Sequence, residues 1–127
     1  MHENHLFEYA VIRVVPRVER EEFMNVGVIL YCPGKNYLQF VFNVDEARLR
    51  AFSENTDIPE VLGYLEALRR ICEGRKAGGP IGALPLSSRF RWLTATRSTV
   101  VQASKVHPGF CKDPDETLQR LFGQQVG

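Results

Sequence analysis

VGVILYC, Val26 to Cys32, decides how the rest of the chain must be arranged. Apolar residues fill both alternate sets of this run, and alternate side chains of an extended strand point to opposite faces. Neither face can then be left to water, so the run reads as a central strand covered on both sides. Directly after it, Pro33-Gly34-Lys35-Asn36 is turn chemistry: Pro fixes one φ, while Gly and Asn tolerate positive φ. Tyr37 to Asn43 (YLQFVFN) then alternates, with Leu38, Phe40 and Phe42 on one face. Upstream, Tyr9 to Val15 (YAVIRVV) is rich in β-branched and aromatic residues and stops at Pro16, which cannot donate to a ladder. The three runs read as an antiparallel meander.

The period changes after Asn43. In VDEARLRAF, Val44, Leu49 and Phe52 can share a helical face, with Asn43 or Asp45 as the cap. Asp57-Ile58-Pro59-Glu60 is a stronger helix start, because the Asp side chain accepts a backbone N–H and Pro sits where its missing N–H does no harm. Val61, Leu62, Leu65, Leu68, Ile71 and Cys72 form an apolar stripe at spacings of three and four, closed by Gly74. Residues 75–86 (RKAGGPIGALPL) read as a surface loop. A short helix follows Ser87 or Ser88 and buries Phe90, Trp92 and Leu93. Thr99 to Val106 reads as a fourth strand. After HPGFCK, Asp113-Pro114-Asp115-Glu116 caps a final helix with Leu118, Leu121 and Phe122 on its apolar face. The expected fold is α+β and two-layer: a mainly antiparallel sheet of about four strands, order βββ-α-α-β-α, with helices on one side. Residues 1–127 form one domain in this reading, and residues 1–7 fray.

The totals fit that fold. A chain of 127 residues with 44% hydrophobic and 24% charged content can bury a core without staples. The longest apolar run is far short of the roughly 20 residues that span a bilayer, and the N-terminus lacks the layout of a signal peptide. Cys32, Cys72 and Cys111 are odd in number and carry no C-x-x-C pairing. Neither a disulfide framework nor a metal site is expected, nor any cofactor, and a cytoplasmic setting suits reduced thiols.

Net charge is +1, but its distribution is uneven. Residues 1–73 hold 8 Lys/Arg against 12 Asp/Glu, a balance of −4. Residues 74–112 hold Arg75, Lys76, Arg89, Arg91, Arg97, Lys105 and Lys112 with no acid, a balance of +7. Segregated charge points to an anionic partner or a docking face.

Two groups of residues are candidates for function. The first is the connection RVEREEFMNVG (Arg17 to Gly27). Arg13 lies mid-strand, where a bare charge is costly if buried; a bidentate pair with Glu19 or Glu22 would resolve that. Asn25 suits a turn or a left-handed position, and Gly27 suits a bulge or a close backbone approach. These residues read as architecture, with a cleft-facing Arg/Glu/Asn trio as the functional alternative. The second group is Arg89, Arg91, Arg97, Ser98, Ser104, Lys105 and His107. Their guanidinium, hydroxyl and imidazole donors would make an anion or partner site if they converge near strand ends. Phe90 and Trp92, interleaved with the arginines, suit either base stacking or the core. His107 precedes Pro108-Gly109 in a loop, with no ligand spacing around it. GRKAGGPIG lacks the P-loop order and follows a helix rather than a strand.

Tyr9-Ala10-x-x-Arg13-x-x-Pro16, followed by Glu19-Arg20-x-Glu22-Phe23-x-Asn25-x-Gly27-Val28, resembles a bacterial family of small α+β domains of unknown function. Its signature is Y-A-x-x-R-x-x-P…E-x-x-N-x-G-V. The later stretch Arg89-Phe90-x-Trp92-Leu93, Arg97-Ser98, Gln102-x-Ser104, Gly109 and Asp113-Pro114 is similar to that family's C-terminal part. The resemblance implies no activity. Some members are encoded beside kinase-fold proteins of the persistence-toxin type, which would suit a protein partner of that kind.

Three functions are therefore weighed. The first is a non-catalytic protein-interaction or regulatory module, with no membrane involved. The second is nucleic-acid or phosphoanion binding through residues 75–112. The third is a hydrolase or phosphate-handling enzyme using Glu22, Asn25, Arg97 and His107. The enzyme requires residues 17–25 and 97–107 to share a cleft.

Overall fold

The computed structural model describes residues 4–16, 22–74, 78–95 and 99–126. Strands β1 (His5–Val14), β2 (Met24–Cys32) and β3 (Tyr37–Phe42) form the expected meander, and helices α1 (Glu46–Phe52) and α2 (Ile58–Glu73) follow. A short helix α3 (Gly79–Gly82) and α4 (Leu86–Leu93) lead to β4 (Val101–Ala103), β5 (His107–Cys111) and α5 (Pro114–Val126). The sheet is antiparallel with order β3-β2-β1-β4, and β5 also pairs with β1. The α+β class and the antiparallel sheet are as expected.

Strand β2 explains the layering. Ile29 and Val26 join Ala10, Ile12, Leu38 and Phe40 in a core that includes Leu49 of α1, Leu65 and Leu68 of α2, and Phe90 and Leu93 of α4. Val28, Leu30 and Cys32 join Phe7 and Cys111 in a second core closed by Leu118 and Leu121 of α5. Each such buried Leu is worth about 1.5–3 kcal/mol relative to exposure, so the second face of β2 needs its own helix. This is a difference from the one-sided arrangement: α5 lies opposite the other helices, as the two-faced apolar pattern of β2 demands.

Local signals set the helix ends. The Asp45 carboxylate accepts the Arg48 N–H at 3.1 Å and caps α1, and Asp57 accepts the Glu60 N–H at 3.0 Å and caps α2. Gly74 ends α2 at φ 72°. Asp113 accepts the Asp115 N–H at 3.0 Å at the start of α5.

Several expectations move. The N-terminal end is part of the sheet from His5, with Phe7 buried, so residues 5–7 are not frayed. Part of the expected 75–86 loop is the short helix α3. Trp92 is 36% exposed while Phe90 and Leu93 are buried; positions three apart share a helical face and Trp92 lies off it. His107 opens a strand rather than sitting in a loop. HPGFC pairs there because Pro108 lies on an edge strand, where a missing donor is tolerated. A Cβ at Gly109 would come within 2.6 Å of the Phe7 ring, so Gly109 gives that ring its space.

Candidate functional site

The opening connection leads into a distorted strand pair. Register between β1 and β2 slips after Ile12↔Gly27, so that Arg13 faces Asn25 and Val26 is the extra residue of a bulge. Gly27 is also a close approach: a Cβ there would lie 2.6 Å from Phe40 Cε1 and 2.7 Å from the Val41 carbonyl oxygen. Asn25 sits in the strand, and the left-handed position falls instead to Asn36, at φ 51°. The Asn25 amide donates to the Gln125 carbonyl at 3.0 Å and ties the end of α5 to the sheet.

Arg13 does not make the expected ion pair with Glu22. Its guanidinium lies over the Phe23 ring, 4.0 Å from the centroid, and its Nε is buried without a hydrogen-bond partner. Burial lowers its pKa from the ordinary value. The aromatic face gives the guanidinium a cation–π partner. Glu19 lies outside the described residues.

The fold disperses the described members of the second group. Arg89 reaches back to the end of α2: Nη1 donates to the carbonyls of Ile71 and Cys72 at 3.0 and 2.8 Å, and Nε to that of Leu84 at 2.9 Å. Those of Ile71 and Cys72 are orphan carbonyls of a helix C-terminus, which attract a cation. Most of the Arg89 fork is thus spent on architecture.

Ser104 serves the sheet. Strands β4 and β5 follow β1 one after the other but differ in register by one residue, so the line breaks between them. At the break the Ser104 hydroxyl accepts the Val11 N–H at 2.8 Å, and the Ser104 N–H donates to the Val11 carbonyl at 2.8 Å. A side chain completes a ladder that the backbone cannot. His107 is exposed, with its ring 5.3 Å from that of Tyr9 on the α5 face. Arg91 and Lys105 are exposed, and Arg97 and Ser98 lie outside the described residues. Phe90 is in the core, 5.3 Å from the Tyr31 ring, so it offers no face for base stacking.

Two adjoining cavities open at the end of the sheet where β1 stops. One, of about 310 Å³, lies between the start of α2 and Thr99–Val101. The other, of about 430 Å³, includes Glu22 and the end of α1. Pro16, Ser53 and Asn55 line both. Glu22 and the segment entering β4 therefore border one cleft, while Asn25 and His107 do not line it. Its described titratable residues are Glu22, Glu54, Asp57 and Glu60 together with Tyr64, and no described Lys, Arg or His contributes.

Sequence reading raises a cleft shared by residues 17–25 and 97–107 only as a condition and finds no motif for its walls, which come from four separated segments. It also missed Phe110, which is 70% exposed and pairs across the sheet with Leu6, 49% exposed. An aromatic left over in HPGFCK was the available signal.

Among the described residues no group of His, Cys, Asp and Glu could hold a metal ion, and no helix is long and apolar enough to cross a membrane. The three cysteines are free and buried. Burial raises the Cys72 thiol to about 12, although Arg89 beside it acts in the other direction. Burial, with Cys32 next to it, raises that of Cys111 as well.

No curated protein and no solved structure matches the chain. A family model does match, across the meander, the bulged connection and every later element as far as the last turn of α5: the chain belongs to the DUF3037 family of proteins of unknown function, over residues 9–126.

Proposed function

We propose that this protein is a non-catalytic interaction module that docks an acidic partner through the outer margin of its sheet, residues 99–112. The observation that carries this reading is Phe110. A 70% exposed phenylalanine beside a 49% exposed Leu6 is an apolar anchor on a folded strand. Exposed Lys105 and Lys112 flank that strand, and no acid occurs between Thr99 and Lys112. An aromatic anchor on a strand flanked by lysines fits a complementary protein surface.

The competing readings have less support. For polyanion binding, Arg89 and Ser104 are committed to internal hydrogen bonds and Phe90 to the core. For catalysis, Glu22 borders the cleft but Asn25 and His107 lie elsewhere.

Affinity capture from the native host tests the proposal, and a kinase-fold protein encoded nearby is the first partner to assay. A stoichiometric acidic protein is expected, and Phe110→Ala should weaken its binding by about 2 kcal/mol, roughly 30-fold. No stoichiometric protein, or capture indifferent to Phe110→Ala and Lys105→Glu, overturns the reading. Retention on immobilised nucleic acid with a steep salt dependence would favour the polyanion alternative instead.

A further inference from the structure

The two edges of the sheet are built differently. The β4/β5 edge is broken by the register slip around Ser104, carries Lys105, and contains Pro108, which has no N–H. A bulge, a lysine and a proline are the features by which sheets prevent another strand from adding. The opposite edge, β3, has none of them. Tyr37-Leu38-Gln39-Phe40-Val41-Phe42 is uncharged and lacks Pro and Gly, and it pairs with β2 in unbroken register from Cys32↔Tyr37 to Gly27↔Phe42.

The outer side of β3 has unused backbone groups. The Asn43 N–H donates to the Val26 carbonyl at 2.8 Å. Antiparallel ladders alternate, so Tyr37, Gln39 and Val41 also face β2, and Leu38, Phe40 and Phe42 turn their N–H and C=O outward. Among the described residues no other strand pairs with that side, and no other backbone group bonds to it.

From this asymmetry we propose that β3 pairs with β3 of a second copy of this chain, antiparallel across a two-fold axis, making one sheet continuous through both. The inference is independent of the docking proposal, which uses the other edge. Symmetry and charge select both occupant and register. Opposed residues in an antiparallel pair share a sheet face, so each residue must meet one of the same parity. With Phe40 opposite Phe40 of the second copy, Gln39 meets Val41 and Leu38 meets Phe42. In the same register Leu38, Phe40 and Phe42 of each copy, the residues whose backbone groups turn outward, all meet one another. The next same-parity register, centred on Gln39, sets Phe42 against Asn36, whose left-handed φ of 51° has already left the strand. A self-paired strand turns any central charge toward its own kind, and β3 has none.

Sedimentation equilibrium and amide exchange on the full chain test the proposal. A dimer is expected, with the Leu38, Phe40 and Phe42 amides protected more strongly as concentration rises, while Tyr37, Gln39 and Val41 stay protected throughout. Gln39 is exposed, so Gln39→Lys leaves the fold intact and puts like charges across the two-fold axis. It should weaken dimerisation at least about tenfold. Mixing Gln39→Lys with Gln39→Glu protein should restore a heterodimer. A monomer with freely exchanging Phe40 amide at the highest soluble concentration overturns the proposal. So does a dimer unaffected by Gln39→Lys, which would place the interface elsewhere.

Discussion

Replacing Arg89 separates a structural arginine from an anion ligand. Three bonds of 2.8–3.0 Å run from its guanidinium to the carbonyls of Cys72, Leu84 and Ile71. Each bond, made by a charged donor in a part-buried or exposed setting, is worth about 1 kcal/mol net, and the charge at the end of α2 adds roughly 0.3–1 kcal/mol. Arg89→Met keeps much of the apolar stem and removes every bond. It should cost about 2–4 kcal/mol, or roughly 8–15 °C in midpoint for a domain of this size. Arg89→Lys keeps the charge, but one ammonium cannot fork between two segments, so about half the loss should remain. Urea unfolding at neutral pH, read by circular dichroism, measures both variants. If both stay within about 0.5 kcal/mol of the parent, the capping role is wrong and Arg89 returns to the pool of anion ligands.

Ser104→Ala should cost about 1–2 kcal/mol and speed exchange of the Val11 amide, which loses its acceptor at the register break; an unchanged Val11 rate would contradict the ladder role. Asn25→Asp should destabilise more than Asn25→Ala. A carboxylate cannot donate to the Gln125 carbonyl and would be repelled by it, whereas alanine also removes the buried, unpartnered Oδ1; equal urea midpoints would refute this. Stability should fall as pH rises above about 9. The thiols of Cys72 and Cys111 and the phenol of Tyr37 all have raised folded-state values, so the unfolded chain loses these protons first. The stabilisation is complete below the unfolded values and is lost through the folded ones, at up to about 1.4 kcal/mol per pH unit for each group. Urea midpoints at pH 8 and pH 10 measure it, with Cys72→Ala expected to flatten the slope. Cys72 should also resist alkylation until the chain unfolds, because a buried neutral thiol is a poor nucleophile.

Sequence reading went furthest where the signal was local. Asp45, Asp57 and Asp113 cap helices as their positions implied, since a cap needs only the next three residues. Gly27 was legible as a bulge or close approach: the close approach is its own, and the extra residue of the bulge is its neighbour Val26. Asn25 and Ser104 were harder, because their partners lie 100 and 93 residues away. Arg13 was legible as a charge needing a partner, but not that the partner would be an aromatic ring. The Pro-Gly of HPGFC reads as a turn until the Phe7 ring against Gly109 shows why it is extended.

By itself, then, the sequence determined the elements, the antiparallel meander and the demand that both faces of β2 be covered. Those follow from periodicity and from the cost of leaving apolar surface in water. Only the tertiary structure decided that α5 covers the second face, that Arg89 and Ser104 complete hydrogen bonds instead of meeting a ligand, and that Glu22 and Thr99 border one cleft. Such outcomes depend on which distant backbone groups remain unsatisfied once the layers have packed, and no local pattern encodes that.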